Sequence, residues 1–255
     1  MKIRFELNPP KIVQNRYFEA NELRKSLSML LIRADELVGL TDGIHITDSV
    51  LGIPRLSGIS IGYFIRRAGN NLPISCSIRV RDHNYTSFVQ YIGDAILLGA
   101  ESILILKGDE QGSNSSTSNL KPTEMLKVLQ SERYDRYIQF SLAVPSKVEN
   151  KQQIEKKILS GPHSLVTQSI ESLTDLGEIA DMAKEHGIKT VACIMVPSEK
   201  NLISAQMIGL DWHEYSKDPV TFILEAKKIA DEVLLTSPNH FAAAIEILKV
   251  VSDQN

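Results

Sequence analysis

The chain is poor in cysteine: its 255 residues hold two, Cys76 and Cys193, far apart and each in a short apolar segment. Two such thiols cannot form a disulfide framework, and buried core thiols are the expected reading. No Cys or His pair has zinc-ligand spacing, so no structural metal is expected. Long hydrophobic runs are also missing. The longest, such as Ile103-Leu104-Ile105-Leu106, fall far short of the roughly 20 residues a membrane helix needs, and no membrane association is expected. The N-terminal Met1-Lys2-Ile3-Arg4-Phe5-Glu6 is broken by charges and has no apolar leader pattern, which predicts a cytoplasmic chain. Charge of one sign is lacking as well: 28 Lys+Arg against 31 Asp+Glu give a net charge of −3. A broad basic surface for nucleic acid is thereby excluded, although a local cationic pocket is not. No G-x-G-x-x-G, Walker loop or G-x-S-x-G occurs, so those nucleotide-binding and hydrolase readings have no support.

What the chain does have is alternation. Short β-like runs at 2–7, 44–47, 74–79, 102–107, 138–144, 164–168, 190–196 and 233–236 are separated by stretches with apolar residues at three- and four-residue intervals. Phe88, Tyr91, Ile92, Ala95 and Ile96 make one helical stripe. Phe222, Ile223, Ala226, Ile229, Ala230 and Val233 make another, and Phe241, Ala244, Ile245 and Leu248 the last. Gly99 and Gly187 stand where helices should stop, and Pro238-Asn239 where the final helix should start. Eight strand–helix units with no Pro/Gly/Ser-rich linker predict one α/β domain over 1–255, a (β/α)8 TIM barrel. A doubly wound open sheet is the alternative.

In such a barrel, functional side chains stand at or just beyond the C-terminal ends of strands. Those positions hold Glu6, Thr47 with Asp48, Arg79 with Arg81, Lys107-Gly108-Asp109, Ser146 with Lys147, Gln168, and Asn239 with His240. Glu6 lies between Phe5 and Leu7. An inward carboxylate with few partners becomes a weaker acid than usual and can serve as a general acid; a structural Glu paired with Lys or Arg is the competing reading. Gly108 permits an unusual turn and puts Asp109 beyond the strand, though Gly-Asp also makes a plain turn. Gln168 ends an apolar strand with both a donor and an acceptor, a match for a ligand with a mixed edge such as a pterin. Lys156 and Lys157 form either a solvated helix face or a phosphate contact. The Gly/Ser/Asn/Thr patch over 112–119 is a solvated loop or a flap over a ligand. Of the six histidines, His83 and His240 lie on strand-end loops.

These pieces resemble one family. Phe5-Glu6-Leu7-Asn8-Pro9-Pro10 is similar to the "FEFFPP" opening of methylenetetrahydrofolate reductases, Leu106-Lys107-Gly108-Asp109 to their "LRGD", and Gly161 through Val166-Thr167-Gln168 to their "GA…ITQ" strand. Thr47 and Ile194-Met195-Val196-Pro197 follow in the same order, so the resemblance spans nearly the whole chain. It implies a barrel oxidoreductase of one-carbon metabolism and methionine biosynthesis. Such an enzyme passes hydride from NAD(P)H through FAD to 5,10-methylenetetrahydrofolate, or an analogous tetrahydropterin, giving the 5-methyl form.

On this resemblance Glu6 is the general acid, Asp109 a catalytic carboxylate that binds the pterin and tunes charge near the flavin, and Gln168 the amide reading the pterin edge. Thr47, Lys107, Gly108, Asp109, Lys156 and Lys157 match flavin-contacting positions. The sequence departs from the family on that side: Lys107 replaces Arg, Val144-Pro145 the aromatic-Pro element, Val148 a His, and Lys121 a flavin-loop Tyr. Four readings therefore stand open, namely the flavin-dependent reductase, a flavin-independent reductase of the same substrate, a non-catalytic pterin-binding or complex-forming subunit, and an unrelated phosphate-binding barrel that rests on Ser237-Pro238-Asn239-His240, which equally reads as simple helix capping. A homo-oligomer and a complex with another subunit are both compatible with the chain.

Overall fold

The computed structural model describes residues 2–108 and 119–254. Asp109 and nearly all of the 112–119 patch lie outside the described residues. Eight parallel strands close a barrel in the order β1-β2-β3-β4-β5-β6-β7-β8. They are β1 (Lys2–Leu7), β2 (Gly43–Ile46), β3 (Ile74–Arg79), β4 (Ser102–Leu106), β5 (Gln139–Val144), β6 (Ser164–Thr167), β7 (Lys189–Met195) and β8 (Glu232–Thr236). Each begins and ends within one residue of its expected position.

The helices between them are α1 (Ala20–Glu36), α2 (Gly58–Arg67), α3 (Tyr85–Leu98), α4 (Pro122–Ser131), α5 (Lys151–Ile158), α6 (Leu173–Lys184), α7 (Leu202–Met207), α8 (Pro219–Ile229) and α9 (Phe241–Asp253). Two of them, α7 and α8, follow β7, where the sequence pattern had suggested one. Two boundaries also move. Val233, the last residue of one apolar stripe, belongs to β8, because α8 stops at Ile229. The last helix opens at Phe241 behind His240 rather than at Pro238-Asn239.

Local chemistry explains where the helices start. The side chains of Ser57, Asn84, Ser172 and Asp218 each accept a hydrogen bond from a backbone N–H in the first turn of the helix that follows. Such caps satisfy donors that have no partner inside the helix, and each contributes about 1 kcal/mol. Pro122 and Pro219 occupy first-turn positions, where the missing N–H costs nothing. Gly99 ends α3 at φ +75°, and its N–H bonds back to Ala95 and Ile96.

By backbone proximity the chain sorts into two compact units. The first (Met1–Glu6, Gly39–Gly43, Ser141–Asn255) carries the parallel arc β5-β6-β7-β8-β1, with Arg4 opposite Leu234 and Cys193 likewise opposite Leu234. Strand residues alternate between faces. On the helix side Phe5 meets Phe241 edge-on at 5.5 Å between ring centroids, and Leu165, Ile194 and Leu235 are buried with Leu176, Ile179 and Leu248 of the helices. Each such aliphatic or aromatic side chain contributes about 1.5–3 kcal/mol by burial. The opposite face of the arc mixes apolar side chains such as Leu234 and Val166 with polar pairs: Arg4 pairs with Glu232 at 2.7 Å, and the Ser141 and Ser164 hydroxyls bond to each other.

The second unit (Leu7–Val38, Ile44–Phe140) carries β2-β3-β4. A Cβ on Gly58 of α2 would lie 3.5 Å from both Cys76 Cβ and Ile46 Cγ2, which marks those two residues as the helix-facing side. His45, Ser75, Ser77 and Arg79 therefore share the inner face. Both ring nitrogens of the buried His45 meet hydroxyls, Ser75 at 2.9 Å and Ser77 at 2.8 Å. Cys76 and Cys193 are free and buried.

Candidate active site

In the first unit the C-terminal ends of β1, β6, β7 and β8 gather a small polar group. Because Phe5 is committed to the helix layer, alternation turns Glu6 to the inner face, where it is half-buried. Its Oε1 accepts a hydrogen bond of 2.7 Å from the Thr236 hydroxyl, the last residue of β8. The Cys193 thiol, on the inner face of β7, is pushed up to about 12, first by burial and then by the Glu6 carboxylate; a hydrogen bond with Ser169 opposes the shift. Cys193 is thus a neutral neighbour of Glu6 at working pH. Its backbone N–H donates to Thr167 Oγ1 at 3.0 Å.

Gln168 follows β6. Its N–H donates to the Val144 carbonyl at 2.8 Å, which anchors the backbone, and the residue is exposed. The loop beyond it is tied down by Glu171, whose Oε2 pairs with Lys147 at 2.7 Å while Oε1 accepts from the Asp211 N–H at 3.1 Å. That carboxylate lifts the Lys147 ammonium above its ordinary value. Asn201, fully buried, donates to Val196 O and Ser237 Oγ and accepts from the Asn239 N–H, so it ties the chain beyond β7 to the chain beyond β8.

The two lysines of α5 differ. Lys156 is exposed, whereas Lys157 turns inward, donates to the Ala143 carbonyl, and is made a weaker base by burial.

In the second unit, Thr47 is 6% exposed just beyond β2, and its hydroxyl donates to Asn8 Oδ1 at 2.8 Å. Lys107 is exposed just beyond β4, and its carbonyl accepts from the Arg81 N–H. Gly108 adopts φ +89°, and a Cβ there would stand 2.5 Å from Arg79 Nε. The reason is Arg79 itself, 2% exposed, whose guanidinium donates to the Ser49 carbonyl and pairs with Asp82 at 3.1 Å. The Asp48 carboxylate accepts from the backbone N–H groups of Arg79 and Ser49. Asp48 and Asp82 hold the His83 ring closer to its charged form, but burial outweighs them and lowers its pKa.

The structure thus brings Glu6 onto Thr236 with the Cys193 thiol within electrostatic reach of Glu6, Gly108 onto Arg79, and Lys107 onto the Arg81 backbone. It also separates Lys157 from Lys156. Asn8, Glu171, Asn201 and Thr236 carry roles that the strand-end reading did not single out. Thr236 could have been found, because it was the last residue of an expected strand. Asn8, Glu171 and Asn201 act through contacts distant in sequence and left no local signal. Among the described residues no three His, Cys, Asp or Glu side chains gather in a way that could hold a metal ion, and no helix is long and apolar enough to cross a membrane.

Neither a protein-family model nor a curated protein sequence matches the chain. Solved structures do. A chain of the tryptophan synthase α2β2 complex from the hyperthermophile Pyrococcus furiosus matches with a TM-score of 0.56 at 10% identity, over 99% of this chain and 95% of that one. Deoxyribose phosphate aldolase from Aeropyrum pernix matches with a TM-score of 0.57 at 10% identity, over 100% of this chain and 91% of that one. These likenesses establish the fold. It is a (β/α)8 barrel, an architecture on which many unrelated chemistries are built at the strand ends. At such identity neither neighbour's activity transfers, and the resemblance to methylenetetrahydrofolate reductases rests on the sequence motifs.

Proposed function

We infer that this chain is an enzyme that reduces a one-carbon tetrahydropterin, of the methylenetetrahydrofolate class, to its 5-methyl form. The observation that carries the reading is Glu6: an inward, half-buried carboxyl at the C-terminal end of β1, held by Thr236, in the position where the motif resemblance calls for an acid. In this reaction the substrate's five-membered ring opens when N10 takes a proton, and the N5-methylene iminium so formed accepts hydride at carbon. Glu6 supplies the proton, and Gln168 presents its amide to the pterin edge. Asp109, outside the described residues, is assigned to the pterin on the motif alone. The balance is one proton from the acid and one hydride from a reduced nicotinamide, which leaves as the oxidised nucleotide.

FAD is implied by the resemblance. Among the positions matched to it, Lys107 and Lys156 are exposed and Lys157 uses only one of its three N–H donors, on the Ala143 carbonyl, so these cations could meet a diphosphate, whereas the Thr47 hydroxyl proton goes to Asn8 and the side of Gly108 on which a Cβ would sit is covered by the Arg79 guanidinium. We derive no step through flavin. Direct hydride transfer from the nicotinamide is the second reading.

The test is nicotinamide oxidation with methylenetetrahydrofolate, together with the absorbance spectrum of the purified protein. Turnover that is abolished in Glu6→Gln supports the assignment. A flavin spectrum on the isolated protein would return the flavin-dependent route. Tetrahydropterin binding with no turnover under any reductant would leave a binding subunit and refute the enzyme.

A further inference from the structure

Thr236 ends β8 on the inner face of the first unit and is buried. Its backbone continues the parallel ladder, with its carbonyl accepting from the Val196 N–H at 2.9 Å, so the main chain has its own restraint. The side-chain hydroxyl has a separate task, the 2.7 Å bond to Glu6 Oε1. We propose that Thr236 is a positioning residue for Glu6: its hydroxyl holds the carboxyl in one orientation at the end of β1, favours the ionised form, and so sets the pH above which Glu6 no longer serves as an acid.

The argument is one of donors. A hydroxyl donating to a carboxylate stabilises the charged state more than the neutral one. Val has nearly the shape of Thr and keeps the β-branched strand preference, but it has no donor. The charged groups on the inner side of β1 and its neighbours are the same in the parent and in the Val variant, so the difference between the two titrations reads the hydroxyl. Cys193, on β7, stays neutral until about 12, and Arg4 of β1 forms an ion pair with Glu232 of β8. Removing the hydroxyl therefore raises the pH at which Glu6 ionises. The expected rise is about one pH unit, reduced from the full value of a charged hydrogen bond because Glu6 is half-exposed to water.

The role rests on the reductase reading, but its test does not depend on turnover. Glu6 is titrated by carbon-13 NMR of carboxyl-labelled protein, with its resonance identified by loss in Glu6→Gln. Thr236→Val is expected to move the Glu6 midpoint up by about one unit, and Thr236→Ser, which restores a hydroxyl, to bring it back. A midpoint unchanged in Thr236→Val, or unrestored in Thr236→Ser, overturns the proposal. Should Thr236→Val fail to fold, Thr236→Ala reads the same titration.

In steady-state reduction of methylenetetrahydrofolate, the falling alkaline limb of the kcat/KM profile should move up with the NMR midpoint while KM changes little. An NMR shift in a protein that reduces no tetrahydropterin upholds Thr236 and refutes the reductase. Turnover without an NMR shift does the reverse.

Discussion

Replacing Gly108 by Ala tests whether the start of the loop after β4 is shaped by the guanidinium beneath it. Two costs are separable. The first is conformational: at φ +89° an L-residue is disfavoured by about 1–2 kcal/mol. The second is contact: the new Cβ would sit 2.5 Å from Arg79 Nε and 3.0 Å from Nη2, so the guanidinium must move. Arg79 is buried and donates to the Ser49 carbonyl; losing one hydrogen bond from a charged group costs about 1.5–3 kcal/mol. Its ion pair with Asp82 is left out of the sum because that carboxylate is substantially exposed. Gly108→Ala should then cost about 2.5–5 kcal/mol in all.

Gly99→Ala is the matched control: φ is +75°, and a Cβ there meets nothing within 4 Å, so only the conformational cost of about 1–2 kcal/mol remains. Urea denaturation followed by far-ultraviolet circular dichroism should separate the two variants by about 1.5–3 kcal/mol, with no change in the denaturant slope. Making Gly108→Ala in an Arg79→Ala background should reduce its cost to that of the control. If Gly108→Ala and Gly99→Ala agree within about 0.5 kcal/mol, the guanidinium does not shape this backbone and the reasoning fails.

Both thiols are pushed up to about 12, chiefly by burial, so neither Cys76 nor Cys193 should react with iodoacetamide at pH 8 until denaturant is added. Rapid labelling of the native protein, read by mass spectrometry, would contradict the packing around them. His163 titrates below its ordinary value because of burial and the nearby Lys189 charge. A histidine with a depressed folded-state pKa binds its proton more readily when unfolded, so the stability it lends is present above about pH 6.5 and is lost as pH falls through that value. His163→Gln should flatten the fall in Tm between pH 7.5 and roughly pH 5; a fall as steep as in the parent would show that other groups set it.

Strand positions were legible because they depend on local pattern. Runs such as Ile103-Leu104-Ile105-Leu106, short, rich in isoleucine and bounded by turn residues, fit buried strands better than helices, and all eight expected strands appear. The helix count after β7 was misjudged because α7 is six residues long, too short for an apolar period to declare itself. At the site, Glu6 could be picked from its neighbours: Phe5 must face the helices, so Glu6 must face the other way. Lys156 and Lys157 show the limit of that logic. Adjacent lysines read alike in sequence, but only packing decides that one stays in solvent and the other is drawn to the Ala143 carbonyl.

By itself the sequence determined the periodicity, and with it the number of strands and the alternation of side chains between their two faces, since these follow from repeats of two and of about 3.6 residues; closure in the order β1 to β8, rather than a doubly wound sheet, belongs to the tertiary structure. Only the tertiary structure decided which polar groups meet. That Thr236 reaches Glu6 across 230 positions, or that Arg79 closes over Gly108, depends on strands made neighbours by barrel closure and on side chains filling the space left there. No local pattern encodes such pairs, because their energies arise from desolvation and contact between residues that the chain itself keeps far apart.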